Sequence, residues 1–505
     1  MKAILVNPRA VDDRKNTLPL GLLYILGHLR THGFDVKLFD FYNLSQSPEE
    51  LFETVCQNEV AMVGFSVCSG AFYDVVRMAA QIKMLAPRVI TVLGGPHASV
   101  DYKSILLHHP QIDLVSIGAG EETILQIMEH ISNSSGCYEW SNVNNIAYRS
   151  DDKNVAVSEW VERDISQIGA PCFSDYEGIY NGVPSICTVR GCAFSCNFCA
   201  LNVEPRIRWK CRSEQRISEE LNLLGRSFSL KVLDITDADF FTSPVHAERV
   251  INVLSTFNEI EDIYISCRID SLLRCWYLFE RMIERFVVHI ELGIEAYSRE
   301  QLNRYNKKIT PSHIDEAIKK LKKCNPRRVK LQFDFILFDP YTTKNDLRAA
   351  LMFIQDNKFN CAKNEDMLFS KMHLLPNTKL REMAVSDGLT SLNDVYLPYW
   401  RFKNEEVALL YSYVLRYKTY ILPQLKKSRR AIEECIQIIS KNQIDILRLK
   451  KMLSTFSFSF FSDLLQCNSH RELEEVYSKY HKMISEGTMA AEEIRNLFKS
   501  INKDA

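Results

Sequence analysis

A chain of 505 residues is too long for one hydrophobic core and implies two or three domains. Its composition, 46% hydrophobic and 25% charged, is that of an ordinary globular protein, and the absence of any run of 18 or more apolar residues excludes a membrane-spanning helix. A net charge of −1 supplies no global basic field, so no nucleic-acid partner is expected. Residues 1–8 read as a first strand rather than as the apolar core and cleavage site of a signal peptide. The fifteen cysteines are scattered, and free thiols fit a reducing cytoplasm.

Residues 1–135 alternate strand and helix patterns. Residues 2–7 read as an apolar strand, and 20–31 as a helix with Leu22, Leu23, Ile25, Leu26 and Leu29 available to its buried face. A second strand follows at 36–41. Residues 60–67 are apolar almost without a break, as in a strand covered on both faces. A helix at 73–85 and strands at 89–93 and 114–117 complete the series. The last two strands run into Gly94-Gly95-Pro96-His97 and Gly118-Ala119-Gly120-Glu121. Glycines at the carboxyl ends of parallel strands let the backbone approach a ligand in the crevice there. The pattern predicts a doubly wound, Rossmann-like α/β sheet, a fold that by itself names no ligand.

Residues 136–184 read as a connector that lays one domain against another. It begins after the polar, turn-rich Asn133-Ser134-Ser135-Gly136, and its strand patterns at 143–148 and 155–157 predict a small hairpin. Pro171 and Pro184 punctuate its end.

Residues 185–385 carry six strand patterns, at 185–189, 230–236, 263–267, 287–293, 329–337 and 371–375. Ser213 caps a helix carrying Ile217, Leu221 and Leu224, Ser298 and Gln301 form a capping-box pattern, and Thr310-Pro311 starts a helix with Ile314, Ala317, Ile318 and Leu321. Six strand–helix units imply a partial (β/α)6, TIM-like barrel, with its chemistry at the carboxyl ends of the strands. Directly after the first strand, Val189-Arg190-Gly191 leads into Cys192-Ala193-Phe194-Ser195-Cys196-Asn197-Phe198-Cys199. Three thiolates at C-x3-C-x2-C suit iron, and a four-iron cluster held by three cysteines keeps one iron open for another ligand. Structural zinc would want four ligands in paired short loops. The nearest other cysteines, Cys187 and Cys211, lack that spacing and read as buried thiols.

The cysteine spacing, with Phe198 before the last cysteine, resembles the signature of radical S-adenosylmethionine (SAM) enzymes. Thr17-Leu18-Pro19-Leu20-Gly21, Gly64-Phe65-Ser66 and the two glycine loops resemble the N-terminal cobalamin-binding domain of the B12-dependent, class B methyltransferase-like branch. The resemblance implies three cofactors: a [4Fe-4S] cluster on Cys192, Cys196 and Cys199, SAM on the open iron, and cobalamin on Ser66, Gly94, Gly95, Gly118, Gly120 and Glu121. It also implies an external electron donor such as flavodoxin or ferredoxin, and cleavage of SAM to a 5′-deoxyadenosyl radical. No D-x-H-x-x-G occurs, so no histidine is marked as a lower ligand of cobalt, and His97 is not assigned as one. A first domain that keeps its sheet and binds no cofactor is the alternative.

For SAM, the resemblance places Phe198 near adenine and Glu295, in Gly293-Ile294-Glu295, near the ribose or polar head. Asp237 is either a contact to the amino group or a loop cap. Arg268 either forks onto the SAM carboxylate or pairs with Asp270. Asp234 and Asp239 close the second strand beside Asp237, and Asp334, Asp339-Pro340 and Pro376-Asn377-Thr378 match positions that line the cavity in the family.

Residues 386–505 read as helical, with helices at 405–420, 432–447 and 472–484, the first interrupted by Pro423. Lys426-Lys427-Ser428-Arg429-Arg430 reads as a solvated helix face. Tyr396, Tyr399, Trp400 and Phe402 are core packing or a closure of the barrel mouth, Cys435 and Cys467 are isolated, and 456–461 is a core run. The activity implied by the resemblance is cobalamin-dependent methyl transfer to an unactivated carbon: one SAM methylates cobalt, and a second generates the radical that takes hydrogen from the substrate. A cobalamin-dependent rearrangement or cyclisation without net methylation stays open, as does a silent binding or scaffold protein. The substrate, a small molecule, lipid or peptide, is not legible in the chain.

Overall fold

The computed structural model describes residues 2–8, 17–57, 59–134, 136, 138–151, 154–162, 165, 168–203, 208–358, 362–391, 399–438 and 444–501. The first part alternates β1 (Lys2–Asn7), α1 (Leu20–Thr31), β2 (Asp35–Asp40), α2 (Pro48–Gln57), β3 (Val60–Ser66), α3 (Phe72–Leu85), β4 (Ile90–Gly94), α4 (Pro96–His108), β5 (Leu114–Ser116) and α5 (Glu121–Asn133). The sheet forms because its strands are apolar on both faces. In β1, Ile4 and Val6 join the core under α2 and α3, whereas Ala3 and Leu5 join the core under α1 and α5. The strand order β2-β1-β3-β4-β5 is parallel throughout and reverses direction between β1 and β3. That reversal is the switch point where doubly wound sheets bind ligands.

The hairpin read as connector belongs to this sheet. Strands β6 (Ile146–Arg149) and β7 (Val155–Val157) pair antiparallel and add onto β5, giving seven strands. The free edge of β5 would otherwise expose unpaired backbone groups beside a buried core. The remaining connector lies on α1 so closely that a Cβ at Gly27 would collide with the Ala170 carbonyl oxygen.

The second sheet is built from β8 (Ser185–Ile186), β11 (Val232–Ile235), β12 (Asp262–Arg268), β13 (Val287–Glu295) and β14 (Val329–Phe335), all parallel, with β9 (Val189–Arg190) and β10 (Lys210–Cys211) forming a small separate ladder. Helices α6 (Glu214–Ser227), α7 (Pro244–Ser255), α8 (Ile269–Arg274), α9 (Trp276–Arg285), α10 (Arg299–Arg304), α11 (Pro311–Leu321) and α12 (Lys344–Asp356) cover its outer face. The alternation in β13 sets its direction: Val288, Ile290, Leu292 and Ile294 are buried, while His289, Glu291, Gly293 and Glu295 are half-buried on the other face. The sixth predicted strand, 371–375, is reduced to a single bridge between Phe338 and Lys371. The carbonyl of Met372 is taken by the indole N–H of Trp400 at 2.9 Å instead of by a ladder. The barrel is thus an open one of five strands and a bridge.

The last part is helical: α13 (Lys379–Ser386), α14 (Glu405–Arg416), α15 (Leu422–Ile438), α16 (Ile444–Gln466) and α17 (His470–Ile501). Pro423 does not interrupt the chain of helix, because a π turn at Tyr417–Ile421 joins α14 to α15. Proline lacks an N–H to donate, and a π turn is where a helix absorbs such a defect. The basic run is only partly a solvated face. Arg429 turns inward to Glu365 at 2.8 Å and to the Leu453 carbonyl at 2.9 Å, and Ser428 is buried. Trp400 and Phe402 pack as core while Tyr399 is exposed; Tyr396 lies outside the described residues. No described helix is long and apolar enough to cross a membrane.

Candidate active site between the two sheets

A cavity of about 400 Å³ opens at the carboxyl ends of β1, β3, β4 and β5. Its floor is the glycine loops: Ser66, Gly94, Gly95, Gly118, Gly120 and Glu121 all line it. Gly95 has φ +95°, and a Cβ there would stand 2.9 Å from the Val67 amide nitrogen, so only glycine keeps this floor open. Its walls are largely apolar, from Leu5, Leu20, Ile25, Phe65 and Val92. The far side belongs to the second sheet, through Cys187, Arg190, Gly191, Thr236 and Ala238. No histidine among the described residues lines it. His97 is buried instead against the Phe72 ring, at 5.0 Å between centroids, and burial pushes its pKa down to about 4.

Glu121 contributes no free carboxylate to this cavity. Both its oxygens take the guanidinium of Arg190, with Nη1 donating to Oε2 at 3.0 Å and Nη2 to Oε1. The pair is buried, so at the cavity wall this expected cofactor residue is held in an ion pair with Arg190.

Arg190 is followed by Gly191, at φ +73°, and then by the cysteine loop. Cys192, Cys196 and Cys199 are all half-buried, and burial raises the thiols of Cys192 and Cys199, the latter to about 11. The loop is pinned from a segment over a hundred residues later. The backbone N–H of Asn197 donates to the Tyr305 carbonyl at 3.0 Å and its Nδ2 to the Arg304 carbonyl at 2.9 Å. Asn306, itself at φ +54°, donates through Nδ2 to the Ser195 carbonyl at 2.7 Å and to its Oγ at 3.1 Å. Phe198 stands edge-on to Tyr305 at 5.3 Å. Among the described residues no three metal-binding side chains converge on one ion-sized point. Ligands of a multi-iron cluster each meet a different iron, so such convergence is not required of them, and these three cysteines are the residues that could hold a cluster.

The strand ends sort the remaining candidates. Glu295 ends β13 at a register shift with φ +64°, a backbone conformation costly for a side-chain-bearing residue and concentrated at functional sites. Lys307, 2% exposed, donates through Nζ to the Gly293 carbonyl at 3.1 Å and to Glu295 Oε1 at 3.4 Å. Asp237 takes the second of its two expected roles. It is buried under the β8–β9 turn and accepts from the N–H groups of Thr188 at 2.7 Å and Val189 at 3.0 Å and from the Thr188 hydroxyl, so it is the loop cap. Burial pushes its pKa up to about 6.

Arg268 forks onto Asp270, at 2.9 Å and 3.1 Å, and also donates to the Lys307 carbonyl and to Cys196 Sγ at 3.3 Å. A guanidinium has five N–H donors. Nε and both N–H groups of Nη2 are committed, so no planar fork is left for a SAM carboxylate. Asp239 caps the start of α8, accepting from the Arg268 N–H at 2.8 Å. Asp339 is fully buried and takes Arg304, Tyr305 and Gln301, so it braces the segment that pins the cysteine loop and is not part of the lining of the cavity described above. Asn377 donates to the Val100 carbonyl at 2.6 Å, a tie to α4 of the first sheet, and Asp334 is exposed on β14.

Residues 12–128 match the model of the B12 binding domain, and residues 186–354 match that of the Radical SAM superfamily. The chain is a radical SAM enzyme with a B12-binding domain. As such, its cofactors are cobalamin, SAM and a [4Fe-4S] cluster. It is 26% identical over 408 residues to an uncharacterised methyltransferase of Pyrococcus horikoshii, covering 77% of this chain and 84% of that protein. It is 26% identical over 342 residues to the anaerobic magnesium-protoporphyrin IX monomethyl ester cyclase of Synechocystis sp., covering 64% and 67%. Its fold matches the cobalamin-dependent SAM radical enzyme OxsB with TM-score 0.75 at 16% identity, over 100% of this chain and 79% of that one. The likeness runs through the helical C-terminal region as well as both sheets.

Within this B12-binding radical SAM enzyme, sequence reasoning missed Arg190, Asn306 and Lys307. Arg190 was within reach, since it sits two residues before Cys192. Around Lys307, in Asn306-Lys307-Lys308, no local signal marks the side chain as buried.

Proposed function

We propose that this chain is a cobalamin-dependent radical SAM methyltransferase acting on an unactivated carbon of a small-molecule or peptide substrate. The observation that carries the reading is the shared cavity. The glycine loops of the first sheet and the residues flanking Cys192 line one space, so the cavity wall is common to both candidate cofactor sites. When bound, the cluster supplies the electron that cleaves SAM, and cobalamin supplies the methyl group.

In this reading Cys192, Cys196 and Cys199 hold the cluster. The Gly94-Gly95 and Gly118–Gly120 loops present backbone to cobalamin where side chains would collide. Glu295 and Lys307 present a fixed charge pair to the polar head of SAM, and Phe198 offers a ring edge beside adenine. An external flavodoxin- or ferredoxin-type protein delivers the electron.

The Synechocystis relative favours a second reading, ring formation without net methylation. One experiment tests both. Protein purified anaerobically after growth with cobalamin should carry roughly four irons and one cobalt per chain, and product mass then separates methylation from ring closure. Iron without cobalt after reconstitution with hydroxocobalamin would remove both readings.

A further inference from the structure

Arg268 is the one buried cation placed on a sulfur of the cysteine loop among the described contacts. Its Nη1 donates to Cys196 Sγ at 3.3 Å, and the guanidinium lies over the Phe194 ring at 4.0 Å. The residue is 6% exposed, so water screens this contact weakly. It is also held rigidly: Asp270 takes Nε and Nη2, the Lys307 carbonyl takes Nη2, and Asp239 takes its backbone N–H. A side chain held by Asp270, the Lys307 carbonyl and the Phe194 ring and aimed at one thiol is poorly arranged to follow a substrate and well arranged to act on that thiol.

We propose that Arg268 tunes the reduction potential of the iron–sulfur cluster through its hydrogen bond to Cys196. Cluster potentials depend on net charge, on hydrogen bonds to the sulfurs and on solvent exposure. A cation donating to a ligand sulfur stabilises the state with one more negative charge, which is the reduced cluster, so Arg268 raises the potential. Asp270 opposes it, because its carboxylate neutralises the same guanidinium from the far side. Arg268 is therefore a positioning and tuning residue, and its neighbours set how much of its charge the cluster feels.

The inference rests on the reading of Cys192, Cys196 and Cys199 as cluster ligands, and it is tested without turnover. Anaerobic protein is titrated reductively while the reduced-cluster signal is followed by electron paramagnetic resonance. Arg268→Gln should move the midpoint to more negative potential at unchanged iron content. Asp270→Asn should move it the other way, since it removes an anion while the Lys307 carbonyl and Phe194 still hold the guanidinium. A purely structural role would not give shifts of opposite sign. An unmoved midpoint in Arg268→Gln overturns the inference; where that variant does not load iron, an unmoved midpoint in Asp270→Asn does so. A wild-type protein that takes up no iron overturns the cysteine reading itself, a result distinct from an intact signal at an unshifted potential.

Discussion

Arg190 and Glu121 form a two-pronged ion pair between the cysteine loop and the last glycine loop of the first sheet, with Nη1 to Oε2 at 3.0 Å. Arg190 stands two residues before Cys192, and Glu121 follows Gly118-Ala119-Gly120 directly. The pair is part of a buried strip. The Tyr24 ring faces Arg190 at 5.3 Å and Arg212 at 4.5 Å, and its hydroxyl donates to Glu220 Oε2 at 2.6 Å. Glu220 also pairs with Arg212, and with Arg216 at 3.8 Å. The pair joins the strand leading into the cysteine loop to the last glycine loop, alongside the Tyr24–Glu220 hydrogen bond and the tie from Asn377 to α4.

Breaking that pair from one side should be costly. Glu121→Ala leaves the Arg190 guanidinium buried and unpaired, and truncation of one partner of a buried pair costs about 3–5 kcal/mol. Replacing both residues by methionine should cost less than either single change, because no uncompensated charge remains. Urea unfolding of the four proteins checks this, and a single-variant loss under about 1 kcal/mol would contradict it.

Alanine at Cys192, Cys196 or Cys199 should abolish the iron–sulfur absorbance and the formation of 5′-deoxyadenosine. Cys187→Ala and Cys211→Ala should keep their iron. Retained SAM cleavage in any of the first three variants would sink the ligand assignment.

The charge pair of Glu295 and Lys307 predicts a binding effect without loss of cluster. Hydrogen bonds to charged groups contribute about 1.5–3 kcal/mol, so Glu295→Gln and Lys307→Met should each weaken SAM binding roughly tenfold to a hundredfold at unchanged iron content. Equilibrium dialysis with SAM is the measurement, and unchanged affinity would place both residues outside the site.

His97 predicts an acid-dependent loss of stability. Burial holds its folded-state pKa near 4, below the ordinary 6.5, so the unfolded chain binds the extra proton between those values. No penalty exists above pH 6.5, and one develops as pH falls toward 4, reaching about 2 kcal/mol at pH 5. Asp234 and Asp237, each pushed up to about 6 by burial, act in the opposite direction, and His246, pushed down to about 4, acts in the same one, so the slope of the whole protein does not report His97 alone. His97→Gln against wild type isolates it: the difference in stability between the two should shift in favour of the variant by about that amount from pH 7.5 to pH 5. Thermal unfolding at both values decides, and a pH-independent difference would rule out a buried neutral imidazole.

The α/β architecture was legible because the apolar periodicity of each strand and helix is local. The hairpin's membership in the first sheet was not, since it depends on the edge of β5 needing cover. The sixth barrel strand failed for a similar reason: its backbone carbonyl at Met372 is taken by Trp400, a residue from outside the strand pattern.

The sequence by itself determined the cysteine spacing, the glycines at the strand ends and the order of the elements, because each rests on residues a few positions apart. Only the tertiary structure decided what the charged candidates do. Asp237 meets Thr188 across 49 residues, Glu121 meets Arg190 across 69, and Arg268 meets Cys196 across 72. A carboxylate or guanidinium reads the same in sequence whether it faces a cofactor or another side chain. Burial settles the matter, since a charge removed from water must take a hydrogen-bond partner or an opposite charge, and the fold alone determines which is near.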